Sequence, residues 1–243
     1  VFENNHGTAP GAALEKNGKC VIILPGPPGE LVPMFNESVR GFLKKYSDGA
    51  IVSHTVNIIG MGESSVAEEI EDMFDAKNPT VAPYAKSGEV RLRITAKAET
   101  ADEADKMCAP VVDEICSRLG DVVYDTDMNS IEERVVALLK EKGKKIATAE
   151  SCTAGYIPKR LTDIPGASEV FECGIVSYSN DIKTKLLGVS PKTLETYGAV
   201  SEQTAREMAL GAKHVSGADI AISTTGLAGP GGDGVLPGGL SFA

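Results

Sequence analysis

The chain of 243 residues, 42% hydrophobic and 24% charged, is long enough for one large domain or two to three small ones. A net charge of −10 argues against nucleic acid as a partner, which calls for a basic patch, and leaves open small anionic substrates held by backbone N–H groups. No apolar run approaches the ~20 residues of a membrane span, and no basic stretch leads into an apolar one as in a signal peptide. The five cysteines (Cys20, Cys108, Cys116, Cys152 and Cys173) are widely spaced and lack a CxxC pair, which points to reduced cytoplasmic thiols rather than disulfides or zinc ligands.

The chain opens on Val1 rather than Met, so an upstream segment is expected. Block one begins with the loop Asn4 to Gly11. Cys20–Leu24 then reads as a buried strand ending in the Pro/Gly run 25–29, and 30–46 carries apolar residues at helical spacing. One strand and one helix cannot close a core, so this block reads as the end of a larger domain. Block two, from about Ala50 to Asp125, reads β-α-β-β-α: a strand over 51–59, a short helix over 64–74 and a hairpin of 80–84 with 89–98 around Ser87-Gly88. Its closing helix over 101–119 has a capping signal at Thr100 and a stop at Gly120. There is no GxxG loop, which disfavours the nucleic-acid-binding kind of KH domain.

Block three alternates helices and strands in the manner of a layered α/β unit. Ser130 and Glu133 predict a capping box ahead of a helix that ends at Gly143. A strand over 145–149 runs into Ser151-Cys152-Thr153-Ala154-Gly155, with Ser151 opening a helix to about Leu161. A strand over 170–178 and helices around 181–187 and 202–215 follow, and a last strand over 219–223 leads to the glycine loop 226–232.

The small-residue run at Ser151 has the makings of a nucleophile site, since N–H groups at a helix start can stabilise an oxyanion. An ordinary N-cap is the competing role for such a serine. None of the histidines His6, His54 and His214 lies in a Ser-His-Asp context and no GxSxG elbow is present, which leaves lysine as the base. Lys183 follows the next strand, and it leaves the same edge as Ser151 if the two strands are parallel; a solvated helix lysine beside a capping Asn180 is the alternative. Tyr178 is placed to orient substrate or relay a proton. Cys152 is a second candidate nucleophile, and a buried filler otherwise. The glycine loop suits an anion or a surface turn equally.

Four ordered motifs carry a resemblance: Ala149-Glu150-Ser151-Cys152-Thr153-Ala154-Gly155, Tyr178-Ser179-Asn180, Gly198-Ala199-Val200-Ser201 and Thr225-Gly226-Leu227-Ala228-Gly229-Pro230. Together they closely resemble the CinA family (competence/damage-inducible protein A). The resemblance implies an α/β fold in three parts: 1–48, the end of a molybdopterin-binding-like α/β domain; 49–125, a small α+β KH-type domain; and 126–243, a C-terminal layered α/β amidohydrolase domain. It also implies conversion of nicotinamide mononucleotide to nicotinic acid mononucleotide and ammonia, in pyridine nucleotide recycling.

Carried over, Ser151 is the nucleophile, Lys183 the base and Tyr178 a supporting group. The substrate is then held by Thr153, Ala154, Gly155, Asn180, Ser201, Gly226, Gly229 and Gly231. The amidase needs no cofactor and no metal ligand. A remnant of a nucleotide site is implied at Asn5, Gly7, Thr8, Pro25 and Gly26. The full-length protein would use it, with a divalent metal, for ADP-ribose pyrophosphatase activity, the leading alternative function; non-catalytic nucleotide binding is another. A small-molecule nucleotide is the implied partner, with no nucleic acid and no membrane, in a cytoplasmic homo-oligomer. The family's amidase domain continues past the glycine loop with a Lys-Pro-Val-Gly type of strand, which Val235 to Leu240 echoes only loosely.

Overall fold

Asn17 and Gly18 both take left-handed backbone (φ 53° and 73°), the conformation a two-residue hairpin turn requires. They fold β1 (Ala12–Lys16) onto β2 (Lys19–Ile23) as an antiparallel pair. The computed structural model describes residues 1–46, 48–86, 88–229 and 237–243. These divide into two units, Val1–Val56 with Gly60–Gly120, and Asn57–Ile59 with Asp121–Ala243.

The hairpin corrects the expectation of one buried strand at 20–24. Ala13, Ile22 and Leu24 pack against Phe2, Met34 and Val39, while Val21 and Ile23 on the other face are 59% and 57% exposed. Strand residues alternate between faces, and only one face of this hairpin is covered. The single helix expected over 30–46 is also segmented. It comprises α1 (Pro28–Met34), a π turn (Phe35–Val39), α2 (Arg40–Leu43) and a 3₁₀ turn (Lys44–Tyr46), with Pro33 withdrawing one N–H from α1.

β3 (Ala50–Ile59) is followed by α3 (Glu63–Glu69), a 3₁₀ turn (Glu71–Met73), β4 (Thr80–Lys86) and β5 (Glu89–Ala98). The β4–β5 hairpin pairs as its alternation predicts; its turn residue Ser87 lies outside the described residues. α4 (Ala101–Leu119) has the predicted ends: Thr100 and Glu103 form a reciprocal capping box, and Gly120 closes it at φ 58°. Val56, Leu92, Ile94, Ala104, Cys108 and Ile115 are fully buried between this sheet and its helix. β6 (Val123–Thr126), which the pattern did not reveal, pairs with β3 and completes the order β4-β5-β3-β6.

In the second unit, Ser130 accepts a bond from Glu133 N at the start of α5 (Ile131–Glu141). The Glu133 carboxylate reaches Asn129 N rather than Ser130 N, so the expected box closes one residue early. Next come β7 (Ile146–Glu150), α6 (Tyr156–Thr162), a 3₁₀ turn (Ala167–Glu169) and β8 (Phe171–Val176). α7 (Asn180–Leu187), the unforeseen α8 (Pro191–Tyr197), α9 (Glu202–Ser216), β9 (Ile220–Gly226) and β10 (Ser241–Phe242) complete it.

The sheet order is β10-β9-β7-β8, with β7 parallel to both β8 and β9 and β10 antiparallel to β9. Every residue of β7 is buried, as befits a central strand covered on both faces. Val136, Leu139, Ile146 and Leu161 pack on the side of α5 and α6, and Ala149, Leu187, Met208 and Ala212 on the side of α7 and α9. The result is a helix–sheet–helix sandwich whose parallel strands β7, β8 and β9 all end at one edge. In open α/β sheets that edge is where ligands bind.

Candidate active site

Ser151 follows the last residue of β7 but does not start a helix. Four turn residues intervene before α6 begins at Tyr156, and the residue capping α6 is Gly155. Ala154 and Gly155 lie at φ 51° and 94°, and the left-handed pair turns the chain before it can helix. Glycine accepts that region freely; alanine does so at some cost. The expectation that Ser151 opens the helix is therefore corrected, and with it the N-cap alternative. Its hydroxyl is 8% exposed at residue level and bonds to Lys183 Nζ at 3.0 Å. Ser151 N donates to Thr224 O at 2.9 Å, and the Thr153 and Thr224 hydroxyls lie 2.6 Å apart, which ties the turn to the end of β9.

Lys183 sits on α7 and is 1% exposed, so the solvated alternative fails too. Its Nζ donates to Ser177 O at 2.8 Å and Tyr178 O at 3.1 Å, and faces Ser151 Oγ with its third position. Burial holds its pKa below the ordinary lysine value, opposed by the electrostatic influence of neighbouring Cys152. The amine donates to all three oxygens in this pose; once deprotonated it keeps two N–H bonds to the carbonyls and turns its lone pair to the serine hydroxyl. Parallel pairing of β7 and β8, with Ser177 N on Glu150 O at 2.8 Å, brings the two halves together.

Among the described residues Tyr178 reaches this arrangement through its backbone carbonyl, and the residue is 75% exposed. Asn180 is the exposed first residue of α7, and Ser179, not Asn180, is the cap, accepting from Ile182 N at 3.3 Å. Ser201 is a buried N-cap of α9, bonded to Gly198 O, Thr204 Oγ1 and Thr204 N. Gly226 belongs to β9 rather than to a loop; a Cβ there would lie 2.6 Å from Leu240 O, so its role is to let β10 approach. Gly229 is exposed, and Gly231 lies outside the described residues. Thr224, which no local signal singled out, is brought to Ser151 and Thr153 by the sheet.

The N–H groups of Cys152, Thr153 and Gly155 have no acceptor among the described residues. An apolar cavity of about 190 Å³ lies elsewhere, between α5, α6 and β9, lined in part by Ile131, Val135, Tyr156 and Ile222.

In the first unit, Asn4 rather than Asn5 organises the opening loop, donating to Ala9 O at 2.9 Å and Glu30 Oε2 at 2.6 Å. Gly7 leaves room for that carboxylate, since a Cβ there would lie 2.0 Å from it. Thr8 and Gly26 are exposed, and Pro25 is buried. Glu30 is thus engaged by Asn4, and no group of three or more His, Cys, Asp or Glu side chains that could hold a metal ion gathers among the described residues. No helix among the described residues is long and apolar enough to cross a membrane.

Residues 128–243 match the family model for the CinA C-terminal domain, and residues 53–124 that for the damage-inducible protein CinA KH domain. A Clostridium beijerinckii protein named for competence and damage inducibility is 56% identical over the whole chain, which spans 60% of that relative. A CinA-like protein of Desulfovibrio desulfuricans is 50% identical over 96% of the chain, which spans 55% of its length. Among solved structures, a competence/damage inducible protein of Agrobacterium tumefaciens is 47% identical, covering 45% of this chain and 67% of its own, with a TM-score of 0.44. On the two family models and these relatives, the chain belongs to the CinA family.

Proposed function

We propose that the C-terminal unit is an amidohydrolase site acting on the carboxamide of nicotinamide mononucleotide. The observation that carries this reading is a lysine amine, 1% exposed and 3.0 Å from a serine hydroxyl that caps no helix. Lys183 takes the Ser151 proton as Oγ attacks the carboxamide carbon. The resulting oxyanion is stabilised by N–H groups of the 152–155 turn. Lys183 returns the proton to the departing nitrogen, ammonia leaves, and an ester to Ser151 remains. Water then attacks the ester, giving its proton to Lys183; Lys183 passes that proton to the departing Ser151 Oγ, and nicotinic acid mononucleotide and the free Ser151 hydroxyl are released. The hydroxyls of Thr153 and Thr224 border the turn and suit the polar part of such a nucleotide.

The chain spans 60% or less of these relatives, and the activity belongs to the complete protein as much as to this chain. The test is ammonia release from nicotinamide mononucleotide with stoichiometric nicotinic acid mononucleotide. Wild type is compared with Ser151→Ala and Lys183→Met. Turnover that persists in either variant, or its absence in wild type, overturns the reading.

A further inference from the structure

Glu150, immediately before the candidate nucleophile, is 1% exposed yet takes no part in the steps above. Its Oε2 accepts from Ile157 N at 3.2 Å, so the carboxylate reaches across the whole 151–155 turn to the first turn of α6. Gly155, the residue at the cap position, has no side chain to offer α6, and Glu150 supplies the missing acceptor. Its backbone carbonyl meanwhile accepts from Ser177 N at 2.8 Å, and Ser177 O in turn accepts from Lys183 Nζ at 2.8 Å. The other carboxylate oxygen, Oε1, is buried without a hydrogen-bond partner among the described residues, as are the hydroxyls of Thr148 and Ser177. A buried carboxylate with one oxygen unsatisfied costs folding energy that a smaller or apolar residue would not, and such groups mark places where geometry matters more than stability.

We propose that Glu150 is a positioning residue for this site: its side chain fastens the turn that presents Ser151, while its main chain fastens the strand end whose carbonyl holds Lys183. The proposal rests on the Ser151–Lys183 reading for its consequence in turnover, but not for its consequence in structure. The turn it holds is strained at Ala154 (φ 51°), and strained segments persist only where their surroundings over-determine them. The links from Ser151 N and the Thr153 hydroxyl to Thr224 fasten the turn's start, and Glu150 fastens its end.

Two readouts test this on Glu150→Ala and Glu150→Gln: kcat and KM for nicotinamide mononucleotide, and amide hydrogen exchange along the chain. Loss of positioning is expected to lower kcat of Glu150→Ala by ~10²-fold with KM within ~3-fold, the scale that an ångström of misplacement produces. Exchange should rise at Ser151, Ala154, Tyr156 and Ile157, the bonded amides of the turn, while β7 and α9 stay protected. Glu150→Gln keeps an acceptor for Ile157 N–H and is expected to recover most of kcat. Wild-type kcat and exchange in Glu150→Ala overturn the proposal, and so does faster exchange spread over the whole unit. If wild type releases no ammonia, the deamidase reading fails by itself and the exchange pattern alone decides Glu150. If the alanine variant does not fold, Glu150→Asp, whose shorter side chain withdraws the acceptor, takes its place with the same expected signs.

Discussion

Ser151 and Ser179 follow neighbouring parallel strands at the same edge of one sheet, yet their hydroxyls do opposite things. After β8, Ser179 accepts from Ile182 N and α7 starts at the next residue. After β7, a left-handed pair at Ala154 and Gly155 delays α6 to Tyr156, and the Ser151 hydroxyl faces Lys183 instead. A hydroxyl that caps a helix has its acceptor directed at backbone N–H and its backbone locked into the entry of the helix. The turn of 151–155 releases a serine from that duty. Lys183 is one turn into the very helix that Ser179 caps, so one junction supplies the proposed base and the other the proposed nucleophile.

The largest break in this comparison is Ser151→Ala, expected to lower kcat by at least ~10³-fold while leaving the thermal midpoint within ~2 °C. Ser179→Ala should do the reverse, costing ~1 kcal/mol of stability in denaturant unfolding and less than ~10-fold in turnover. Equal losses in the two variants would erase the distinction. Cys152→Ala is expected to retain turnover within ~10-fold; a loss matching Ser151→Ala would move the nucleophile to the thiol.

Lys183 sharpens the comparison through pH. Its folded pKa lies below its ordinary value of 10.5 because of burial, so the unfolded chain binds the proton more tightly. Native stability should therefore rise with pH between the lowered folded value and 10.5, and Lys183→Met should remove that rise. The rate should climb with unit slope as the amine deprotonates and level off below 10.5; a flat profile would remove Lys183 as base. The smallest expected effect is that of Ala154→Gly, which relieves left-handed backbone and should stabilise by ~0.5–1 kcal/mol in equilibrium unfolding. Destabilisation there would mean that the Ala154 methyl packs more than it strains.

Much of the fold was legible locally. The limits of α4 follow from Thr100, Glu103 and Gly120, because caps and stops act within a few residues. β1 escaped because Ala12–Lys16 has little strand propensity, although the Asn17-Gly18 dipeptide beside it is a strong hairpin signal. β6 and α8 were too short to show a period. The family resemblance marks Ser201 and Gly226 for substrate; the structural duties that no local pattern showed are a helix cap at Ser201 and the close approach of β10 at Gly226.

The sequence by itself determined most of the strands and helices, several of the capping residues and the family motifs, since each is written in neighbouring residues. It also supplied Ser151 and Lys183 as candidates, but not whether Ser151 caps a helix or whether Lys183 is solvated. Tertiary structure answered both: Ser151 caps no helix and Lys183 is buried. Their contact spans 32 positions and exists only because β7 and β8 pair in parallel and α7 folds back over the sheet, which takes Lys183 out of water. Whether a serine hydroxyl points at a helix or at an amine was settled by the backbone of Ala154 and Gly155, held by Glu150 and Thr224 from two different strands.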